Sequence, residues 1–391
     1  MVTGSRAEYG LLRFVMEGIR DSELLDLQVA VTGMHLSPAF GSTYREIEAD
    51  GFVIDRTVES LLDSDSDVAV AKSIGLGVVG FADALDSLGP DLLVVLGDRF
   101  EILAAVAAAL ILKVPVAHLH GGETTEGAFD ESIRHSITKM AHLHFVAAPE
   151  YARRVAQMGE DPGRIVVTGG LGIDGIRRLQ LMSRDALQAD LGLTFGARSL
   201  MVTFHPATLS PQGSADQMAA LLDALDSLQD TTLLFTMPNA DTGGRALSGQ
   251  VADFVRDRPH AAAFTSLGQL RYLSCLAHVD GVVGNSSSGL IEAPSFSIGT
   301  INVGDRQAGR LRAASVIDCE PDRASIQNAL DHLFSAEFQA TLADVRNPYG
   351  VGDASERVVR AIETVELDGI LQKRFHDHAV ALWPSEESAD A

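Results

Sequence analysis

The chain has 391 residues, a net charge of −23 and a hydrophobic content of 46%. So strong a negative charge argues against sequence-independent binding to nucleic acid or to an anionic membrane, although local arginines can still bind a small anion. Only two cysteines occur, so neither a disulfide framework nor a cysteine-based zinc site is implied, and we expect a soluble, cytoplasmic protein of two domains.

The first half of the chain alternates apolar strands with amphipathic helices. Helices are predicted at residues 9–20, 68–88, 99–112 and 131–141, and strands at 25–32, 92–96, 114–117, 143–146 and 165–168. This alternation predicts an α/β fold with a doubly wound parallel sheet. The loop at residues 4–9 is typical of a phosphate-approaching turn, yet three residues precede it where a strand usually needs about five. We therefore expect an unusually short first strand or a start further upstream.

A glycine cluster at residues 169–172 interrupts the alternation and predicts an interdomain connection. A second series follows, with strands at 200–204, 232–236, 279–283 and 300–303 and helices that include 216–228 and 323–333. Two such series predict two Rossmann-like domains that face one cleft. After a break at 347–350, a last amphipathic helix is predicted at 353–365, followed by a frayed tail.

Acidic side chains follow two neighbouring strands of the first series. Asp98 comes directly after strand 92–96, and Glu123, Asp130 and Glu131 follow the next strand. Ligands bind outside the carboxyl ends of such strands, and acids that crowd there shift one another's pKa values apart, which supplies a base and an acid. The alternatives are that Asp98 caps the next helix and that Glu131 only complements a helix dipole.

Three histidines also lie near strand ends. His120 is nearer the end of its strand and is predicted to face the cleft, whereas His118 is predicted to be a core histidine. His205 occupies the equivalent position in the second half and is a further candidate. The spacing of these residues matches no metal-site signature, and we predict no metal.

A serine run in the second half predicts an anion site. Residues 285–289 follow strand 279–283, and Ser286 and Ser287 offer hydroxyl and N–H groups to a phosphate, with an ordinary helix cap as the alternative. Glu292, one turn further on, is placed to accept hydrogen bonds from a ribose. Arginines beside these loops are candidates to neutralise phosphate: Arg6, Arg306 and Arg310. No Walker or G-x-G-x-x-G fingerprint is present, which argues against a P-loop ATPase or an NAD enzyme.

Many of these motifs, in this order, closely resemble those of the hydrolysing UDP-N-acetylglucosamine 2-epimerases of the sialic and legionaminic acid branch. The resemblance covers about residues 2–375 and is carried by Gly4-Ser5-Arg6-Ala7-Glu8-Tyr9, Val31-Thr32-Gly33-Met34-His35, Gly97-Asp98-Arg99-Phe100, Gly121-Gly122-Glu123, Asp130-Glu131-Ser132-Ile133-Arg134-His135, Gly284-Asn285-Ser286-Ser287, Gly304-Asp305-Arg306-Gln307 and Asn347-Pro348-Tyr349-Gly350.

The resemblance implies a GT-B-like pair of Rossmann-type domains. We predict a first domain at residues 1–170, a UDP-binding domain at 171–350, a helix that returns to the first domain at 351–375 and a tail at 376–391. The resemblance also implies a homo-oligomer, either a dimer or a tetramer, and a reaction that uses no metal or redox cofactor.

The implied reaction converts UDP-GlcNAc and water to N-acetylmannosamine and UDP. UDP is eliminated across C1 and C2 to give a glycal, and water then adds with inversion at C2, on a pathway to nonulosonic acids. The resemblance makes Asp98 and Asp130 the acid and base candidates with Glu123 beside them, and His205 an aid to UDP departure. It assigns the diphosphate contacts to Ser286 and Ser287 and the ribose contact to Glu292. It assigns the phosphate contacts to Arg6 and Arg306, and the sugar contacts to Asn239, Asp241 and His35.

One departure from the family concerns His120, which stands close to where the sialic acid branch has a catalytic glutamate. A neutral imidazole can also transfer protons near neutrality, so His120 stays a catalytic candidate. The segment at residues 125–129 is more similar to enzymes that act on bacillosamine-type sugars on the way to legionaminic acid. UDP-GlcNAc is therefore the first predicted substrate and UDP-2,4-diacetamido-2,4,6-trideoxyglucose the second, with a GT-B glycosyltransferase as the rival function.

Overall fold

The computed structural model describes residues 1–64, 66–126, 128–206, 213–238 and 243–377. The strands of the N-terminal half are β1 Val2–Thr3, β2 Ala30–Thr32, β3 Arg56–Val58, β4 Leu93–Leu96, β5 Val116–Leu119, β6 Leu143–Val146 and β7 Ile165–Val167. The helices between them are α1 Arg6–Arg20, α2 Tyr44–Ala49, α3 Asp67–Leu88, α4 Phe100–Leu112, α5 Asp130–Met140 and α6 Pro149–Gln157.

The N-terminal strands are all parallel and form a β1-β2-β3 sheet and a β4-β5-β6-β7 sheet. Because β1 also lies alongside β4, the two sheets continue one another as a single layer with the order 3-2-1-4-5-6-7. Both faces of this layer are covered by helices, which is why its central strands are apolar throughout. The strand order reverses between β1 and β4, so the loops that follow these two strands flank a crevice.

The C-terminal half repeats this plan. Its strands are β8 Arg198–Thr203, β9 Thr231–Thr236, β10 Ala261–Phe264, β11 Gly281–Gly284, β12 Gly299–Val303 and β13 Val316–Cys319. Its helices are α7 Leu171–Arg178, α8 Arg184–Leu191, α9 Ser214–Asp226, α10 Gly244–Arg256, α11 Gly268–Leu276, α12 Ser288–Ile291, α13 Arg323–Leu333, α14 Ala336–Thr341 and α15 Ala354–Thr364. The parallel sheet has the order β10-β9-β8-β11-β12-β13, so its order reverses between β8 and β11.

The last helix, α15, returns to the N-terminal half. Val358, Val359 and Ile362 of α15 belong to the same buried cluster as Leu12 and Val15 of α1. The predicted doubly wound α/β fold with a returning helix is therefore confirmed. The chain leaves the first sheet at residue 167 and enters α7 at residue 171, on either side of the predicted domain boundary, which itself stays a prediction.

Several element predictions were wrong in extent. The strand predicted at 25–32 is shorter and consists of β2 alone, and the strand predicted at 114–117 begins two residues later, as β5. Three of the strands in the described residues were not predicted: β3, β10 and β13. Each of them lies at an edge of its sheet. Edge strands are partly exposed and lack the continuous apolar run that marks a buried parallel strand.

Helix α3 is, by length and composition alone, long and apolar enough to cross a membrane. In the structure α3 packs along α4, and its Phe81 and Leu85 are buried in the core beneath the first sheet. The opposite face of α3 exposes Leu76 and Val79 to solvent. We therefore regard α3 as a core helix with one uncovered apolar face.

Candidate active site

Most of the predicted site residues that the structure describes follow strands at or beside the two strand-order reversals, whereas His35 follows β2. In the N-terminal half the loops at or beside the reversal follow β1, β4 and β5, and in the C-terminal half they follow β8, β11 and β12. The two sets of loops touch: Thr124 donates through its hydroxyl to the carbonyl of Ala308 at 3.1 Å, and Leu171 donates its N–H to Nε2 of His120 at 3.2 Å. The halves therefore meet at the carboxyl ends of both sheets.

Asp98 is held by an arginine that the sequence did not single out. The Asp98 carboxylate accepts a hydrogen bond from Nη2 of the buried Arg134, and about a fifth of its side chain, 20%, stays exposed. Helix α4 begins after Arg99, without a side-chain cap, so Asp98 is not the helix cap that was the alternative. A fixed and partly open carboxylate at a strand end is suited to proton transfer.

Asp130 and Arg134 lie one turn apart on α5. Asp130 is the first residue of this helix and is buried, and Arg134 also donates through Nη1 to the carbonyl of His120 at 2.9 Å. Glu131, in the same first turn, accepts the N–H of Thr125 and contacts Nε2 of His135 at 2.9 Å. Helix α5 thus fixes the segment that connects β5 to the acids, and Glu131 has the local role that was its alternative.

His118 is a core histidine, as predicted. Its ring is fully buried, with Nε2 2.7 Å from the carbonyl of Gly97 and Nδ1 3.2 Å from the hydroxyl of Thr138. Burial lowers the pKa of His118 to about 3. A neutral imidazole with both nitrogen atoms engaged stabilises the strand end and takes no part in proton transfer.

His120 occupies a bridge between the two halves. Its backbone has a φ of +62°, and its Nδ1 lies 2.8 Å from Oε1 of Glu123. Because Nε2 accepts the N–H of Leu171, the ring proton is assigned to Nδ1, which faces Glu123. Both ring nitrogen atoms therefore have protein partners. In this arrangement His120 links the two halves, and its predicted catalytic role stays a prediction.

Glu123 is buried between a histidine and an arginine. Its Oε1 faces His120, and its Oε2 lies 3.3 Å from Nη1 of Arg310. Burial raises the pKa of Glu123, but its interactions with His120 and Arg310 outweigh burial and lower it to about 2. The lowered pKa of Glu123 thus arises from its partners and not from repulsion among the acids. Glu123 is enclosed, and its predicted catalytic role stays a prediction.

The serine run forms a tight turn at the end of β11. Gly284 has a φ of +136°, and Ser287 begins α12 without a side-chain cap, so the ordinary helix cap that was the alternative does not occupy its hydroxyl. Tyr272 donates to the hydroxyl of Ser288 at 2.5 Å, while Ser286 and Ser287 are half-buried. Since α12 has only four residues, an anion here would depend on hydroxyl groups and neighbouring arginines more than on a helix dipole.

Asn285 joins three strand ends of the C-terminal half. Its side chain accepts the N–H of His205 at 2.7 Å and donates to the carbonyl of His205 at 2.8 Å. Its own carbonyl accepts from Nη1 of Arg306 at 3.3 Å and from Nε2 of Gln307 at 2.8 Å. Three of the predicted residues, His205, Ser286 and Arg306, are therefore brought together around Asn285.

Glu292 and Arg6 complete this side of the cleft. Glu292 lies against Gly172, where a Cβ would approach its Oε1 to 2.1 Å, and burial raises the pKa of Glu292 to about 7. Arg6 is half-buried at the start of α1, where burial lowers its pKa and the charges of Glu46 and Tyr272 offset part of that effect. Since Tyr272 bonds Ser288, Arg6 approaches the serine turn from the opposite half.

Three sugar contacts were predicted: His35, Asn239 and Asp241. His35 is fully buried, with Nε2 3.0 Å from the hydroxyl of Thr3 and Nδ1 2.8 Å from that of Thr43, so both ring nitrogen atoms have partners within the fold, and the predicted sugar contact stays a prediction. Asn239 and Asp241 lie outside the described residues. Within the described ranges, no group of three or more His, Cys, Asp or Glu side chains is placed to hold a metal ion.

Comparisons with known proteins agree with this arrangement. A family model described as UDP-N-acetylglucosamine 2-epimerase matches residues 17–363. A Campylobacter jejuni protein named GDP/UDP-N,N'-diacetylbacillosamine 2-epimerase (hydrolyzing) is 38% identical over 379 residues, which covers 96% of this chain and 98% of that protein. A Legionella pneumophila UDP-N,N'-diacetylbacillosamine 2-epimerase (hydrolyzing) is 36% identical, with coverages of 94% and 95%. A Neisseria meningitidis UDP-N-acetylglucosamine 2-epimerase is 31% identical, with coverages of 96% and 98%.

Solved structures show the same fold. A crystal structure of a UDP-GlcNAc 2-epimerase from Neisseria meningitidis bound to UDP-GlcNAc superposes with a TM-score of 0.78 at 16% identity, over 92% of this chain and 98% of that one. One of a putative UDP-N-acetylglucosamine 2-epimerase from Listeria monocytogenes gives 0.76 at 20% identity, with coverages of 93% and 94%. These matches confirm the predicted GT-B-like pair of domains.

Proposed function

The chain belongs to the UDP-N-acetylglucosamine 2-epimerase family, and from this membership we propose that it is a hydrolysing 2-epimerase of a UDP-activated 2-acetamido sugar. The observation that supports the proposal most directly is the pairing of Asp98 with Arg134 at one side of the cleft. It places a fixed carboxylate at the edge of the N-terminal sheet, while the C-terminal half presents the serine turn with Arg306.

The proposed reaction begins with elimination. A carboxylate of the N-terminal half, Asp98 or Asp130, removes the proton from C2, the C1–O bond breaks, and its electron pair leaves with UDP. Ser286, Ser287 and Arg306 stabilise the negative charge that develops on the diphosphate, because charge-assisted hydrogen bonds strengthen as that charge grows. His205, whose backbone forms two hydrogen bonds with the Asn285 side chain, lies on the diphosphate side of the cleft and assists the departure of UDP.

Hydration completes the reaction. Water adds its oxygen to C1 of the glycal, and a protonated carboxyl group delivers hydrogen to C2 on the face opposite to the one that lost it. The product is the free manno-configured sugar, and the net change is hydrolysis with inversion at C2. Glu292, whose pKa of about 7 lets it exist in either protonation state near neutrality, is placed beside this region to bind the ribose.

The names of the relatives favour UDP-N,N'-diacetylbacillosamine as the substrate. This is UDP-2,4-diacetamido-2,4,6-trideoxyglucose, which on sequence grounds ranked second after UDP-GlcNAc. The same preference follows from the His120 segment, which differs from the sialic acid branch. A nonulosonic acid pathway in the cytoplasm would consume the product. We expect a higher kcat/KM for UDP-N,N'-diacetylbacillosamine than for UDP-GlcNAc in a side-by-side assay, with the GDP-linked sugar as a third arm. A preference for UDP-GlcNAc would reverse the assignment.

Turnover in deuterated water tests the reaction itself. Release of UDP with one deuterium at C2 of a free manno-configured sugar is expected, since C2 loses its proton and regains one from solvent. Release of UDP with the original hydrogen retained at C2 would refute the elimination mechanism. A GT-B glycosyltransferase, the rival function, would release UDP only when a sugar acceptor is added.

We also propose that the protein is a homo-oligomer, which the uncovered face of α3 supports. Leu76 is 47% exposed and Val79 is 66% exposed, and Ile111 at the end of the adjacent α4 is 78% exposed. Exposed apolar side chains on two packed helices are typical of an interface, and in a two-fold dimer the same face would meet its copy.

A further inference from the structure

Arg310 reaches from the turn after β12 into the N-terminal half. Its Nη1 lies 3.3 Å from Oε2 of Glu123, its Nε donates to the carbonyl of Thr124 at 2.6 Å, and its Nη2 donates to the hydroxyl of Thr125 at 3.2 Å. The guanidinium is buried. All three nitrogen atoms therefore have partners across the cleft, whereas the sequence predicted a ligand for phosphate.

Thr125 relays this contact to the candidate acid or base. Its hydroxyl oxygen accepts from Nη2 of Arg310 and, also at 3.2 Å, from Nη2 of Arg134. The same nitrogen atom of Arg134 donates to the carboxylate of Asp98. Two guanidinium groups from opposite halves thus share one hydroxyl, and the second of them holds Asp98.

The turn that carries Arg310 also carries the residues that face the serine turn. Arg306 and Gln307 both donate to the carbonyl of Asn285, whose neighbours Ser286 and Ser287 are the diphosphate candidates. One short segment, residues 304–312, is therefore hydrogen-bonded at one end to the serine turn, residues 285–289. At its other end it is bonded to residues 123–125, the acid–base loop that follows β5.

We propose that Arg310 is a positioning residue that docks the phosphate-binding side of the C-terminal half onto the acid–base loop and fixes the Arg134–Asp98 pair. When the halves separate, Glu123, Thr124 and Thr125 lose the guanidinium of Arg310, and Thr125, which also accepts from Arg134, is then held from the N-terminal half alone. Proton transfer at Asp98 is thereby coupled to closure of the cleft. The kinetic part of this inference rests on the proposed epimerase function.

The electrostatic surroundings of Glu123 provide a second readout that needs no substrate. The titratable or charged groups that interact with Glu123 come from both halves: His120, Arg134, Tyr151, Glu292, Arg310 and Tyr349. Of the cationic groups, Arg310 is the one supplied by the C-terminal half. Its removal leaves burial, which raises the pKa of Glu123, less strongly opposed.

The test compares three variants with the native enzyme. Arg310→Gln removes the charge and the guanidinium group, and Arg310→Lys keeps a charge near Glu123 but cannot reach Glu123 and both threonines together. Thr125→Val removes the hydroxyl that Arg134 and Arg310 share and leaves the contact of Arg310 with Glu123 in place. Arg312→Gln is the matched control, since Arg312 lies on the same segment but contacts Asp318 and the carbonyl of Gln307 and none of the residues 123–125. Circular dichroism checks that each variant is folded.

We expect Arg310→Gln and Thr125→Val to lower kcat by about 10–100-fold, because a misplaced catalytic group costs rate steeply, with the Kd for UDP unchanged. The pH profile of kcat should shift in Arg310→Gln and recover its native form in Arg310→Lys. A Kd for UDP that rises while kcat stays at the native value would show that Arg310 binds phosphate, and would overturn the inference.

Carbon-13 NMR of the Glu123 carboxyl group is the measurement that does not depend on turnover. Arg310→Gln should raise the titration midpoint of Glu123, while Thr125→Val and Arg312→Gln should leave it at the native value. An unchanged midpoint in Arg310→Gln would show that the cross-cleft contact is absent in solution. If no UDP sugar is turned over by the native protein, the proposed function fails, yet this measurement still decides whether Arg310 docks on Glu123.

Discussion

At the scale of single residues, the two arginines Arg134 and Arg310 determine how the acids behave. Asp98 is partly open and fixed by Arg134, whereas Glu123 is enclosed, and its interactions with His120 and Arg310 lower its pKa. Two carboxylates that follow neighbouring strands thus have different roles because their surroundings differ. Asp98 transfers protons in the proposed reaction, and Glu123 supports the geometry.

Replacement of Asp98 by asparagine tests its role directly. Asp98→Asn keeps the shape and a hydrogen bond to Arg134 but cannot exchange a proton, so kcat should fall by at least about 10²-fold, the usual contribution of a general acid or base. The Kd for UDP, measured by calorimetry, should stay native. Asp91→Asn, an exposed acid at the other end of β4, serves as the control and should keep native kcat. Native turnover by Asp98→Asn would remove Asp98 from the mechanism.

The diphosphate candidates make a second prediction at this scale. The double variant Ser287→Ala/Arg306→Ala should weaken UDP binding by a few kcal/mol, because hydrogen bonds to charged groups contribute about 1.5–3 kcal/mol each. Titration calorimetry with UDP measures the change. Arg323→Ala removes an exposed arginine at the start of α13 and should bind UDP as the native protein does. An unchanged Kd in the double variant would place the diphosphate elsewhere.

At the scale of elements, the loops work because their strands end at two strand-order reversals. Strand β11 lies between β8 and β12, so Asn285 at its end can bond both His205 and the turn after β12. The turn requires Gly284, whose φ is +136° and whose position leaves no room for a side chain, since a Cβ would lie 1.9 Å from the carbonyl oxygen of Thr203. The serine turn is therefore set by backbone geometry.

Gly284→Ala should consequently lower both stability and affinity. The strained backbone alone costs on the order of 1–3 kcal/mol of unfolding free energy, and displacement of β11 from β8 would also move the serine turn away from UDP. Urea unfolding and UDP calorimetry measure the two effects. Gly249→Ala, at an open position inside α10, is the control and should be neutral or stabilising by about 0.5–1 kcal/mol. A native free energy of unfolding in Gly284→Ala would contradict the structure of the turn.

At the scale of the whole molecule, closure of the cleft and the uncovered face of α3 are the features that extend beyond any one element. The halves are joined across the cleft by Arg310, by the Leu171–His120 bond and by the hydroxyl groups of Tyr151 and Tyr349, which lie 3.0 Å apart. The α3 face lies in the N-terminal half, so an interface there would leave the C-terminal half free to move during each catalytic cycle.

The double variant Leu76→Glu/Val79→Glu should separate the oligomer into monomers, because burying two carboxylates against an apolar copy is strongly unfavourable. Light scattering coupled to size-exclusion chromatography measures the mass of each species. Leu24→Glu, at a residue that is 73% exposed in another part of the N-terminal half, should keep the native mass. A native protein that runs as a monomer at micromolar concentration would refute the proposed interface.

The sequence by itself determined the doubly wound fold, the position of Asp98 and the serine run at strand ends, and the family. These features depend on local patterns: apolar runs, glycine at turns and polar residues directly after strands. The core role of His118 was predictable for the same reason, since it lies inside a buried strand and not at its end.

Only the tertiary structure decided how the site residues are paired. The partners of Asp98, Glu123, His120 and His35 come from distant parts of the chain, and no local pattern specifies them. The direction of a pKa shift likewise depends on burial and on groups a few ångströms away: the acids were expected to shift one another's pKa values, whereas the pKa of Glu123 is lowered by His120 and Arg310. Sequence patterns place a residue at an edge of the sheet, and packing of the two halves decides what it touches there.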